Sequence, residues 1–294
     1  MSTIHLIDAS PYIFRAYFAL PDSIRDPRGN PAQAVYGFAS FLLKLIADEK
    51  PTHLGITFDR SLNSSFRNEL YPEYKQQRVL PPPELEAQLG ACERIAAAMG
   101  GRCFIDDRYE ADDLIATVMH QLRGGGHSFV IVTTDKDLLQ LVSDDVVGYD
   151  FGKSIRYTPE LVVKKFGVRP EQIVDYLALA GDAVDNIPGV KGIGGKTATL
   201  LLEAFGTLDA IYERVDEVAE LPVRGAGSIR KKLESCREIA FLSQRLATVS
   251  TDAPIAVKLN DLEYRGGNPD EVARVTGELG FGGLRERIPL REAV

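Results

Sequence analysis

Three short apolar runs, Ile4-His5-Leu6-Ile7, Leu54-Gly55-Ile56-Thr57-Phe58 and Phe129-Val130-Ile131-Val132, each lead into an aspartate: Asp8, Asp59 and Asp135. The runs are rich in β-branched and aromatic residues and are separated by segments of helical periodicity, so they predict buried strands of one mostly parallel sheet. Right-handed crossovers put the carboxyl ends of such strands along one edge, where open α/β sheets hold their ligands. The three acids then meet in space.

Further acids join them. Glu110, Asp112 and Asp113 open a helix whose apolar face is Ala111, Leu114, Ile115, Val118 and Leu122, while Asp137 follows Asp135 and a separate pair, Asp182 and Asp185, lies further on. Helical spacing puts Glu110 and Asp113 on one face and turns Asp112 elsewhere. Taken singly, an Asp after a strand is usually a turn former or cap, and acids in a first turn complement the helix dipole. Nine acids in five segments are harder to dismiss. Two unit charges about 4 Å apart repel by roughly 1 kcal/mol in water and about 4 kcal/mol near a protein surface. A converging set needs compensation, and hard Mg²⁺ or Mn²⁺, which prefers carboxylate and water oxygens, supplies it.

Length and composition fit one large soluble domain or two ordinary ones: 294 residues, 45% hydrophobic and 26% charged. No segment is apolar for the length of a membrane span and the N-terminus does not read as a secretion signal, so a cytoplasmic protein is expected. Cys92, Cys103 and Cys236 are widely spaced without a C-x-x-C pair and read as reduced structural thiols. A net charge of -8 argues superficially against nucleic acid. With the nine acids set aside the remainder is nearly balanced, so the sign carries little weight.

Strand and helix patterns alternate to about Gly148, with Gly124-Gly125-Gly126 as a helix-to-strand turn, and then give way to helices such as Pro159 to Phe166 and Glu171 to Ala180. This predicts an α/β domain over 1–160 and a helical region over 161–294. Val249 to Val257 reads as a strand returning to the first domain, followed by a short helical tail through Gly280.

Two segments carry other chemistry. Phe66-Arg67, Tyr71-Pro72-Glu73-Tyr74-Lys75, Arg78 and Pro81-Pro82-Pro83 interleave basic groups with tyrosines, which can hold phosphates and stack on bases; a solvated basic loop is the alternative. In Gly181-Asp182-Ala183-Val184-Asp185-Asn186-Ile187-Pro188-Gly189-Val190-Lys191-Gly192-Ile193-Gly194-Gly195-Lys196-Thr197-Ala198, the first glycine of a P-loop would fall on Val190 and no strand precedes it, which disfavours NTPase chemistry. The stretch is either a tight interhelix turn or a helix-hairpin-helix type contact to DNA backbone, which carries no sequence specificity.

The stretches LIDASPYIFRAYFAL, ITFDRS, SFRNELYPEYKQQR, YEADDLIAT, IVTTDKDLLQLVS, DYLALAGDAVDNIPGVKGIGGKTA and LSQRLATV resemble, in order, the bacterial and phage 5' nucleases. That family comprises the N-terminal domain of DNA polymerase I, its stand-alone relatives and the flap endonucleases. The resemblance implies a PIN-like twisted, mostly parallel sheet flanked by helices, a helical arch at about 71–90, and a helix-three-turn-helix module at about 173–206. By motif, one metal site draws on Asp8, Asp59, Glu110, Asp112 and Asp113, and a second on Asp135, Asp137, Asp182 and Asp185. Lys75 and Arg78 match the basic arch positions near the scissile phosphate, with Tyr74 beside them. Arg67 and the turn Gly192, Ile193, Gly194, Gly195, Lys196 and Thr197 are the expected DNA contacts, and a K⁺ ion can bridge the turn's carbonyls to phosphate in this family. Ala9, Thr134 and Gly195 depart from the usual pattern, but none removes a carboxylate.

The implied activity is Mg²⁺-dependent, two-metal hydrolysis of DNA near a 5' end, flap or nick, by a monomer that serves replication and repair. The chain ends soon after Gly282-Gly283-Leu284, so a stand-alone nuclease without a polymerase domain is expected. The rivals are a PIN-like RNase, which has no need of the glycine-turn module, and a catalytically silent junction-binding protein, which binds but does not turn over.

Overall fold

The computed structural model describes residues 2–60 and 64–292; Ser61, which ends the ITFDRS stretch, lies outside them. The first half alternates as expected: β1 (Thr3–Asp8), α1 (Ser10–Ala19), α2 (Gln33–Glu49), β2 (His53–Asp59), α3 (Phe66–Leu70), α4 (Pro83–Ala98), β3 (Arg102–Asp106), α5 (Ala111–Leu122), β4 (Ser128–Val132), β5 (Val146–Asp150) and β6 (Ile155–Tyr157). Helices follow: α6 (Pro159–Phe166), α7 (Ile173–Ala180), α8 (Gly195–Phe205), α9 (Leu208–Glu213), α10 (Ala226–Ser235), α11 (Arg237–Ala247), α12 (Pro269–Leu279) and α13 (Gly282–Arg285). Among the described residues no helix is long and apolar enough to cross a membrane.

The sheet order is β3-β2-β1-β4-β5-β6, parallel except for the β5–β6 pair. Ile7 of β1 lies opposite Ile56 of β2 on one side and Val132 of β4 on the other, and Asp8 lies opposite Thr57, so the three strands end at the same edge with β2 running on to Asp59. The chain leaves β1 toward β2 and later returns to β4 on its far side. That reversal opens a crevice beyond the carboxyl ends, the usual ligand position in such sheets.

Strand alternation divides the core. Leu54, Ile56 and Phe58 face α2 and α4 with Ile7 and Val132, whereas Ile4, Leu6, Phe129 and Ile131 pack against Leu114, Ile115 and Val118 of α5. Asp8 shares the parity of Ile4 and Leu6, so β1 delivers it toward the face that α5 covers. A third apolar cluster holds α6 to α11 together around Leu177, Leu201, Leu208 and Leu233.

The last part of the chain rejoins the sheet: Val249, Ala253 and Val257 pack with Ile131 and Leu114, and Val272 and Leu279 of α12 pack with the α2–α4 layer. The expected strand over Val249 to Val257 does not form. Side chains take its backbone donors instead, Gln140 at Val249, Asp113 at Ser250, Thr117 at Ala253 and Gln121 at Val257. The segment therefore lies along α5 in place of pairing with a sheet edge.

Candidate metal and phosphodiester site

Asp8, Asp59, Glu110, Asp112 and Asp135 line one cavity of about 350 Å³ with Lys75 and Arg78 on its wall. Four of these five acids are placed by local devices. Thr133 donates its hydroxyl to Asp8 (2.9 Å) and accepts the N–H of Asp135 (2.9 Å), tying the ends of β1 and β4 together. Asp59 accepts the N–H of Ala111 at 2.7 Å and thereby pins the start of α5 to the end of β2. Glu110 is the N-cap of that helix, and its own N–H goes to Asp113 at 3.0 Å.

Asp137, Asp182 and Asp185 form a second group, all buried, with one carboxylate oxygen from each lying within 4.8 Å of the others. A two-bond bridge between Asp182 and Ile187 closes the loop that carries Asp182 and Asp185. One oxygen of Asp137 is buried without a hydrogen-bond partner. An orphaned carboxylate oxygen facing two more carboxylates suits a hard divalent cation.

Lys75 bridges the two groups. Its ammonium is 2.9 Å from Glu110 and 3.6 Å from Asp185, and its N–H donates to the Asp185 carbonyl. The residue sits at φ +55°, a left-handed conformation that costs roughly 1–2 kcal/mol outside glycine and that these three partners hold. Arg78 adds a 2.6 Å pair to Asp185. Gln77 donates to the carbonyls of Ala183 and Val184, and Asn186 donates to that of Glu73. Residues 73 to 78, which run in turns ahead of α4 where a helical arch is expected, are thus fastened to the second acid loop.

The charges respond accordingly. Burial, then Asp59 and Asp135, push Asp8 well above the ordinary carboxylate range; Asp112 is raised by burial, Asp135, Asp8 and Asp59, and Asp137 by burial and its acidic neighbours. Burial also acts on Asp185, but Lys75 and Arg78 outweigh it and hold that carboxyl low. Burial opposes the charge of Lys75, yet Glu110 and Asp185 prevail and keep it well above its usual value.

A stability trend follows. Acids whose folded pKa is raised bind more protons folded than unfolded, so in EDTA they should add thermal stability as pH falls through their raised values toward the ordinary carboxylate range. The depressed Asp185 opposes this only once pH falls below the ordinary carboxylate range, whereas His5 and His53, whose pKa values burial lowers, oppose it as pH falls through the usual histidine value of 6.5. Saturating Mg²⁺ should flatten the trend. Thermal midpoints against pH, with and without Mg²⁺, test it; a midpoint that falls steadily on acidification in EDTA would contradict it.

Three expected residues are placed differently. Arg67, read as a DNA contact, is 2% exposed. It makes a two-pronged pair with Asp113 (2.8 Å twice) and donates to the carbonyls of Leu246 and Thr248. Asp113, read as a metal ligand, is consumed by that pair and by the N–H groups of Glu110 and Ser250, and it does not line the cavity. Asp112, on the other side of the helix, faces it instead. Tyr74, expected to act at the scissile phosphate, is 3% exposed; its hydroxyl reaches Glu110 (3.2 Å) and Asp185 (3.4 Å) from beneath. It is a positioning residue.

Two positioning residues were not singled out from sequence. Thr133 sits in the Thr133-Thr134-Asp135 stretch, where its proximity to a strand end is the available signal, and Lys136, between Asp135 and Asp137, pairs with Asp182 at 2.9 Å.

The glycine turn joins α7 to α8. Gly194 is the N-cap of α8, where no side chain caps the free N–H groups, and Lys196 is exposed, while the side chain of Ile193 is buried in the helical cluster. A Cβ on Gly195 would fall 2.4 Å from the Tyr176 hydroxyl, so the departure from the usual polar residue at 195 lets α7 approach α8. The Gly192 carbonyl accepts the ammonium of Lys232 at 2.9 Å. That ammonium already occupies the carbonyl, so a K⁺ ion bound to this oxygen would have to displace Lys232.

An open sheet that gathers carboxylates at its carboxyl edge beneath two basic residues, joined to a helical module with a positively charged turn, defines an α/β architecture with its ligand site at the acidic sheet edge. The chain belongs to the 5'-3' exonuclease family: residues 3–167 match its N-terminal resolvase-like domain and residues 168–270 its C-terminal SAM fold. It is 39% identical over 287 residues to DNA polymerase I of Bacillus subtilis (strain 168), a match covering 96% of this chain and 32% of the relative. The chain therefore spans about a third of the length of the curated relatives it matches. T5 5'-exonuclease with bound divalent metal ions (zinc) superposes with a TM-score of 0.68 at 22% identity, covering 97% of both chains. The catalytic core of Rad2 in complex with DNA substrate does so with a TM-score of 0.61 at 16% identity, covering 98% of this chain and 91% of that one. These structural likenesses establish the fold.

Proposed function

We propose that the chain is a divalent-metal-dependent 5' nuclease that hydrolyses DNA phosphodiester bonds near 5' ends, flaps or nicks, acting as a monomer in the cytoplasm with Mg²⁺ (or Mn²⁺). The observation that carries this is the gathering of Asp8, Asp59, Glu110, Asp112 and Asp135 around a cavity walled by Lys75 and Arg78, with a second group, Asp137, Asp182 and Asp185, linked to it through Lys75. Asp8, Asp59, Glu110, Asp112 and Asp135 would hold one ion, and Asp137, Asp182 and Asp185, with Asp135 between the groups, a second. Such ions polarise phosphoryl oxygens and make water nucleophilic at neutral pH.

The chain's own residues do the rest. Lys75 and Arg78, held over the acids by Glu110 and Asp185, offer positive charge to the phosphate as its charge develops. Residues 1–160 would carry most of the chemistry, with Asp182 and Asp185 supplied by the helical part of 161–294, which would grip duplex through its glycine turn. Family membership, and structural relatives solved with divalent metal ions or with DNA substrate, support the reading.

The test is a panel of 5'-labelled flap, nicked and blunt DNA beside a flap of RNA, each with Mg²⁺ and with EDTA. Metal-dependent release from DNA flaps or nicks is expected. Preference for RNA would favour a PIN-like RNase, and tight binding in EDTA without turnover in Mg²⁺ would make the chain a silent junction binder.

A further inference from the structure

The turn from Gly189 to Thr199 contains two lysines, Lys191 and Lys196, both exposed, and no acidic residue, in a chain whose net charge is -8. A third cation comes from outside it. Lys232, in the last turn of α10, donates to the Gly192 carbonyl at 2.9 Å, and a Cβ on Gly192 would lie 2.8 Å from that ammonium. Gly192, at φ +81°, therefore serves two purposes: it permits the turn, and it leaves room for the lysine to lie against it. Arg230, two residues before, spends its charge on Asp216 and Glu234. Lys232 instead meets a neutral carbonyl, which orients the ammonium without neutralising it.

We infer that Lys232 is the built-in cation of this turn: it takes the place of a monovalent metal ion and is itself a contact to the DNA backbone. The inference rests on the reading that the turn grips duplex phosphates. A carbonyl oxygen binds either an alkali cation or an ammonium in one place. With Lys232 there, the turn keeps its positive charge whatever salt surrounds the protein. Each lysine that neutralises a phosphate releases counterions and adds about 0.9 to the steepness with which affinity falls with salt.

The experiment is fluorescence anisotropy of a labelled blunt duplex with the full chain in EDTA, titrated in KCl or tetramethylammonium chloride at matched ionic strength. Wild-type affinity should agree within about twofold between the two salts. Lys232→Met should weaken binding, reduce the slope of log affinity against log salt by about 1, and make binding stronger in K⁺ than in tetramethylammonium, because the carbonyl is freed for the ion. Lys196→Met serves as comparison and should reduce the slope without producing cation dependence. Circular dichroism confirms that the variants are folded. Wild-type binding several-fold tighter in K⁺, or an unchanged slope in Lys232→Met beside a reduced slope in Lys196→Met, would overturn the inference while leaving the turn a DNA contact. Absence of duplex binding in every salt would overturn the underlying reading and the inference together.

Discussion

Asp112→Asn should yield a folded protein that melts at a higher temperature in EDTA and has lost metal-dependent cleavage. Asp112 is held near Asp135, Asp8 and Asp59, and burial and those neighbours push its carboxyl far above its ordinary value. Converting it to an amide relieves repulsion, and each kcal/mol so gained raises the midpoint by about 2–4 °C. Losing a ligand removes electrostatic stabilisation worth several kcal/mol at the transition state, so the rate should fall at least ~10³-fold. The opposite signs are diagnostic. An Asp112 that merely capped α5 would lower stability when replaced and leave cleavage intact. Melting curves with and without Mg²⁺, together with flap cleavage by the same preparation, read both quantities.

Arg67→Met should be the most destabilising single change at this end of the molecule. It leaves Asp113, which is 0% exposed, without its partner, and it strips the Leu246 and Thr248 carbonyls of their donor. Removing one member of a buried pair costs about 3–5 kcal/mol, equivalent to a fall in midpoint of roughly 6–20 °C. The network joins α3, the start of α5 and the chain just past α11, so the loss should reach the acid site as weaker Mg²⁺ stabilisation. Replacing both residues, as Arg67→Met with Asp113→Leu, should restore much of the stability because no buried charge is then orphaned. A single variant that melts like wild type would show that Arg67 is not held as described.

Period and position make the sheet's centre readable in the sequence. β1, β2 and β4 are buried on both faces, so their apolar runs are continuous and their terminal acids stand out. The edge strands gave less signal. β3 has Arg102 and Cys103 in a partly exposed run, and its own terminal acid, Asp106, accepts the N–H groups of Arg108 and Tyr109 as an ordinary turn former. Asp59 and Asp106 are alike in sequence and opposite in use, which is why only the joint pattern of acids was informative.

The fates of Arg67 and Asp113 were hidden for another reason. Their partners are 46 residues apart from each other and up to 181 from the carbonyls that complete the network. Helical spacing paired Asp113 with Glu110 on one face, but tertiary contacts turn Asp113 to Arg67 and leave Glu110 and Asp112 for the cavity. Val249 to Val257 was similarly legible as a return to the sheet and illegible as to form, because side chains of α5 satisfy its backbone.

The central claim is that carboxylates gathered at the carboxyl edge of the sheet hold divalent metal for cleavage of DNA at a 5' end. Its most direct test is the initial rate of release from a 5'-labelled flap, measured for wild type in Mg²⁺, wild type in EDTA, and Asp112→Asn in Mg²⁺. We predict release by wild type in Mg²⁺ alone, with the other two reactions at least ~10³-fold slower. Folded wild-type protein that releases nothing in Mg²⁺ or Mn²⁺, or an Asp112→Asn variant that cleaves at the wild-type rate, would contradict it.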